Sequence, residues 1–179
     1  MTTTENSTVT GERADILHAL GKARHFFRFT AQGLTDEQAN TQSTVSALTI
    51  GGLIKHVAEV ERSWGEFVRT GEQSGPDFSE EVEFTPEMIA EWEAKFRLAE
   101  GETIAGVLAD YEQVAAATDE LVRTADLDAG HELPQAPWQP PGEFWTNRRV
   151  FLHLVAEIAQ HSGHADIIRE AIDGQKTMG

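Results

Sequence analysis

The chain has 179 residues, 40% of them hydrophobic, and carries 30 acidic against 14 basic side chains for a net charge of −16. Length and hydrophobic content suit one domain with a sizeable core. The charge argues against a nucleic acid or an anionic membrane as partner, because both require cationic patches. Cysteine is absent, which removes disulfides, thiolate nucleophiles and thiolate metal sites, so any metal must be held by His, Asp or Glu.

Residues 1–11 are polar, with neither a basic start nor an apolar centre. They read as a disordered leader on a cytoplasmic protein, not as a signal peptide or a membrane span. The first helix is predicted over residues 12–32, where Ile16, Leu20, Ala23, Phe27 and Ala31 recur at helical spacing and Leu17 widens the stripe. Gly33 stops it, and residues 34–39 add a further short turn. His18 and His25 lie on this helix without a carboxylate at ligand spacing and are set aside as ligands.

A second helix is expected from Ser46 or Thr49 to about Thr70. Gly51-Gly52 near its start permits another backbone to come close, at some cost in helix propensity. His56 shares an apolar stripe with Leu53, Val60, Trp64 and Phe67. Lys55, Glu59, Glu61, Arg62 and Glu66 read as solvated surface. Residues 71–84 form a loop, with Gly71, Gly75, Pro76 and a run of acids. Thr85 then caps a helix that has Pro86 in its first turn and Met88, Trp92 and Phe96 as its stripe. After Gly101 the pattern restarts with Ile104, Val107, Leu108, Tyr111, Val114, Ala115 and Thr118. This third long helix carries no histidine and serves as a wall.

Residues 124–145 are irregular, with Pro134, Pro137, Pro140 and Pro141. A connection of this length in a compact domain is more often functional than idle, and Trp138, Phe144 and Trp145 give it apolar anchors that pack over something. Thr146 caps the last helix and Gly174 ends it, leaving residues 175–179 as a tail. Strand-like alternation is not evident in the sequence. The fold class is therefore all-α, a four-helix bundle over residues 12–174.

The last helix carries the chemistry. On a helical wheel Glu157 and His161 sit about 40° apart, with His153 and His164 on the same side. Val150, Leu154, Ala165, Ile168 and Ile172 share that side, whereas Arg148, Val155, Ala159, Ser162 and Asp166 lie opposite. The ionisable groups are thus expected within the inward-facing stripe, where a carboxylate needs a partner. A divalent metal suits a carboxylate and a histidine one turn apart. His164, about 60° around from His161, is the candidate for a fourth ligand or a proton-carrying catalytic residue, against a plain hydrogen-bonding role in helix packing. His153 is placed to orient the Glu157 carboxylate. Trp64, Trp138 and Trp145 line an approach to the site or fill core. Arg148 and Arg149 are expected to pair with surface acids.

Gly51-Gly52-Leu53-Ile54-Lys55-His56 on one helix, with Glu157-x-x-x-His161-Ser162-Gly163-His164-Ala165-Asp166 on the last, resembles the DinB-like superfamily of four-helix metalloproteins. The resemblance implies one divalent ion held by His56, Glu157 and His161, a set similar to that of mycothiol-dependent maleylpyruvate isomerases. Those isomerases have a further C-terminal domain that helps with their substrate, so what carries over is the metal site and not activity on maleylpyruvate. Zinc is the first candidate ion, with nickel and iron behind it. The implied activity is a thiol S-transferase, with detoxification of electrophiles as its setting. The cosubstrate would be a low-molecular-weight thiol: mycothiol first, with bacillithiol and glutathione used elsewhere in the superfamily. Two other readings stand beside it. One is a non-catalytic metal-binding protein that acts by interaction or as a homodimer. The other is a metal hydrolase or non-haem iron enzyme, since two histidines and a carboxylate also suit Fe(II).

Overall fold

The computed structural model describes residues 9–73, 85–136 and 140–177. Most of the leader, the greater part of the acidic loop, Trp138 and the last two residues of the tail lie outside the described residues. Within them the order is α1 (Glu12–Phe29), α2 (Asp36–Ala39), α3 (Ile50–Thr70), α4 (Pro86–Ala94), α5 (Ile104–Thr124), β1 (Gly130–Glu132), β2 (Phe144–Thr146) and α6 (Asn147–Asp173).

Local chemistry sets the helix ends. The hydroxyls of Thr49, Thr85, Thr103 and Thr146 each accept a hydrogen bond from a backbone N–H in the first turn of α3, α4, α5 and α6, satisfying donors that have no partner inside the helix. Thr35 and Gln38 form a reciprocal capping box on α2. Gly71 and Gly174, both left-handed at φ 79° and 80°, close α3 and α6. The first helix stops at Phe29, earlier than its periodicity suggests. The Thr30 hydroxyl turns back onto the Phe27 carbonyl, and the chain continues in tight turns to Gly33 at φ 77°.

The four long helices form the bundle, with α1 packed on α6, α6 on α3, α3 on α5 and α5 on α1. Arg148 at the start of α6 bonds Glu12 at the start of α1, and Arg169 near its end donates to the carbonyls of Thr30 and Gln32, so α1 and α6 run parallel. Arg13 reaches the Ala125 carbonyl beyond the end of α5, which makes α5 antiparallel to α1. Leu20, Phe27, Ile50, Leu53, Ile54, Phe67, Tyr111, Phe151, Leu154 and Ile158 fill the centre and are essentially inaccessible to solvent. No helix among the described residues is long and apolar enough to cross a membrane.

Three sequence readings are corrected. Glu61 is not solvated surface. It is fully buried and paired with Arg24 of α1, itself 4% exposed, while Arg24 Nη1 also bonds Asp119 of α5 at 2.6 Å. A lone buried carboxylate would be prohibitive, and an arginine fork that joins three helices satisfies it. The stretch 124–145 is not wholly irregular: β1 and β2 pair antiparallel, with His131 opposite Trp145. Strands of three residues are too short to show a period. Gly130 makes the pairing possible, since a Cβ there would lie 2.0 Å from the Trp145 carbonyl oxygen. On α6 the buried stripe passes through Phe151, Leu154, Ile158, Ser162 and Ala165, so Ser162 faces inward and His153, Glu157, His161 and His164 lie along the edge, half-buried.

Removing one member of a buried ion pair leaves its partner's charge uncompensated. Glu61→Ala is expected to lower the unfolding free energy by about 3–5 kcal/mol in urea titration, and Arg24→Met with Glu61→Leu by much less. Equal losses in the single and double variants would show that the pair does not act as a unit.

Candidate functional site

The edge where α3 meets α6 gathers the residues singled out in the sequence. Gly51 and Gly52 decide how α3 begins. A Cβ on Gly52 would lie 1.9 Å from the Phe96 carbonyl group, and one on Gly51 would lie 2.7 Å from the Leu98 side chain. Only glycine lets the segment after α4 cross the first turn of α3 this closely. Thr49 Oγ1 and Lys55 Nζ donate to the carbonyls of Phe96 and Arg97, and Asn40 both donates to the Leu98 carbonyl and accepts from its N–H. The crossing sets the Phe96 ring 5.0 Å from that of His56. Phe96 was legible only as part of a helical stripe, and nothing local in the sequence marks it as a neighbour of His56.

Opposite, α6 presents its titratable groups in series. The rings of His56 and His161 are 4.8 Å apart and nearly perpendicular. His161 Nε2 lies 3.6 Å from Glu157 Oε2, and His153 Nε2 lies 3.7 Å from Glu157 Oε1. His161 Nδ1 is 3.4 Å from His164 Nδ1. His56, Glu157, His161 and His164 are thus brought together across two helices, with His153 at the far side of the carboxylate. His18 and His25 are exposed on α1 and take no part.

Burial pushes the His56 imidazole down to about 4, with the nearby His161 adding to the effect and Glu157 opposing it. Burial also lowers His161 and His153, again against the pull of Glu157. All three are therefore neutral at neutral pH, the state in which imidazole can donate to a metal. Two neutral imidazoles and a carboxylate are a donor set that a divalent ion accepts. Among the described residues, however, no three His, Asp or Glu side chains converge as a ready metal-holding group. The reason is visible at His161, whose two ring nitrogens face Glu157 and His164 of its own helix. The donor chemistry fits an ion, with His161 next to Glu157 on its own helix and next to His56 across the helix interface.

An aromatic wall flanks His153, the histidine on the Oε1 side of the carboxylate. Trp64 of α3 and Trp145 of β2 stack at 5.0 Å with planes 7° apart, and the His153 ring stands edge-on to both, 5.0 and 5.1 Å away. Arg149 lies over Trp145 at 4.4 Å, and Glu143 accepts from both Trp145 Nε1 and Arg149. The hairpin exists to deliver Trp145 to this place. Arg148 pairs with Glu12 and Asp128, so both arginines make the surface pairs that the sequence suggested.

A family model described as mycothiol-S-transferase matches residues 15–174. Among solved structures, one described as the conserved protein of locus from Enterococcus faecalis is similar at a TM-score of 0.67 and 18% identity, over 93% of this chain and 100% of that one. At that identity the likeness shows the fold alone. No curated protein matches the chain.

His56 gives the metal-free chain a defined acid sensitivity. Its folded pKa of about 4 lies below the ordinary 6.5, so the unfolded chain takes up this proton first as pH falls. The contribution is fully present above about pH 6.5 and is lost progressively towards pH 4. With chelator present, the urea midpoint of the wild type is expected to fall across that window and that of His56→Gln to fall less. Identical slopes for the two proteins would contradict the assignment.

Proposed function

The chain belongs to the mycothiol-S-transferase family, within the DinB-like group, and from that premise we propose that it joins a mycothiol-type thiol to an electrophile at a divalent-metal site held by His56, Glu157 and His161. The observation that carries this reading is the meeting of two neutral imidazoles and a carboxylate from α3 and α6 along one half-buried edge. A bound ion, zinc in the first instance, would lower the pKa of a thiol there and keep the thiolate in place.

The chain's own residues do the rest. With no cysteine in the sequence, the nucleophilic sulfur must come from the cosubstrate. Glu157 supplies the negative charge that offsets a divalent cation. His153, 3.7 Å from the other carboxylate oxygen, is placed to orient it, in the manner of the outer partners that fix ligands at metal sites. His164, beside His161 and half-buried, is the group placed to accept the thiol proton. The Trp64–Trp145 stack packs on His153 and offers an apolar face to the electrophile.

A second reading draws on the pairing of the imidazoles within α6. There the histidines and Glu157 form a polar network that ties α3 to α6, and the protein acts by binding. Two measurements in sequence separate the readings. Elemental analysis after dialysis should find about one divalent ion per chain in the wild type and far less in His56→Ala and His161→Ala, with helical circular dichroism retained in all three. The wild type alone should then consume mycothiol in the presence of an alkylating electrophile. Equal metal content in wild type and variants would remove the site, and metal without thiol consumption would favour the binding reading.

A further inference from the structure

The edge of the bundle opposite the histidines holds a groove that the thiol chemistry does not use. It runs between α1 and α5 with a volume of about 660 Å³, lined by Arg24, Arg28, Phe29, Leu108, Ala116 and Asp119 among others. We propose that this groove binds a monoanionic carboxylate with an apolar body, its carboxylate held by Arg28.

Arg28 is the reason. On a chain of net charge −16, cations find acidic partners easily, and Arg24, Arg62, Arg69, Arg123, Arg148, Arg149 and Arg169 each pair with one or more carboxylates. Arg28 does not. Its guanidinium rests on the Tyr111 ring at 5.2 Å, and its Nε is buried without a hydrogen-bond partner. A buried donor left unmade is costly, and because Arg28 lines the groove, a ligand there meets a guanidinium whose charge has no acidic partner among the described residues. A carboxylate matches the guanidinium fork with two parallel hydrogen bonds.

The surroundings select the rest of the ligand. Asp119 is held by Arg24 at 2.6 Å, and Glu112 lines the same groove, so a dianion would face two carboxylates as well as the field of an acidic protein. A single negative charge on an apolar frame roughly halves both costs. Phe29, Leu108, Ala115 and Ala116 offer apolar surface beside Arg28, and the volume lies within the range of about 300–1,000 Å³ usual for small-molecule sites. The inference is independent of the metal reading, because the groove shares no residue with the α3–α6 edge.

The test is calorimetric titration of 4-phenylbutyrate, and of its uncharged amide, into the full chain. Saturable binding of the acid is expected, with the amide at least tenfold weaker. Arg28→Gln should weaken the acid at least tenfold, Ala116→Trp should abolish binding by filling the groove without touching the arginine, and His56→Ala should bind as the wild type does. Absence of saturable binding, equal affinity for acid and amide, or undiminished binding in a folded Arg28→Gln would overturn the proposal. So would loss of binding in His56→Ala, which would place the ligand at the other edge. Sedimentation showing a dimer that Ala116→Trp dissociates would assign the groove to a second copy and overturn it equally.

Discussion

The buried pair between Arg24 and Glu61 is the constraint on which the arrangement of the other parts depends. It joins α1 to α3, and through Asp119 it reaches α5, at a depth where neither charge has solvent to fall back on. A buried pair of this kind adds little net stability compared with an apolar replacement, but an incomplete one is severely penalised. Rotations and slides of α3 that would part Glu61 from Arg24 are therefore disfavoured. His56 lies five residues before Glu61, about 140° around the helix. Once Glu61 faces the α1–α5 side, His56 is left facing α6. The ion pair thus sets the register of a site to which it contributes no atom.

Phe96 supplies the second constraint. Two adjacent glycines, the Thr49 hydroxyl, the Lys55 ammonium and the Asn40 amide all hold the 96–98 segment across the beginning of α3. That crossing covers His56 on one side, while α6 covers it on another. Burial is what keeps the imidazole unprotonated, so packing around Phe96 becomes a statement about the chemistry His56 can perform. The Trp145 hairpin plays a similar part further along α6, where it packs on His153 next to the Glu157 carboxylate.

Much of the cationic inventory of this acidic protein is structural. Arg169 caps the turn after α1 and binds Asp173, Arg148 fastens the start of α6 to α1, and Lys55 joins Glu102 to the 96–98 crossing. Against that background Arg28 differs in that its buried Nε has no hydrogen-bond partner among the described residues. The two edges of the bundle therefore differ in character. One collects neutral imidazoles around a carboxylate, and the other sets a guanidinium against the Tyr111 ring in a groove of mixed polar and apolar lining.

The four long helices are legible along the chain, because apolar spacing, threonine caps and terminal glycines are local signals that each segment carries alone. The sequence also marked His56, Glu157 and His161 as candidates, because four-residue spacing within one helix places Glu157 beside His161, and the resemblance linked them to His56. Packing between segments is what buries Glu61, turns Ser162 inward, lays Phe96 beside His56 and brings Trp145 to Trp64 through a hairpin. Each of these depends on a partner far away along the chain. Glu61 has the same local surroundings whether or not Arg24 comes to meet it, and a helical wheel contains no term for the second helix. Periodicity reports which face of a segment is apolar. Where a polar group ends up depends on what the opposing segment offers it.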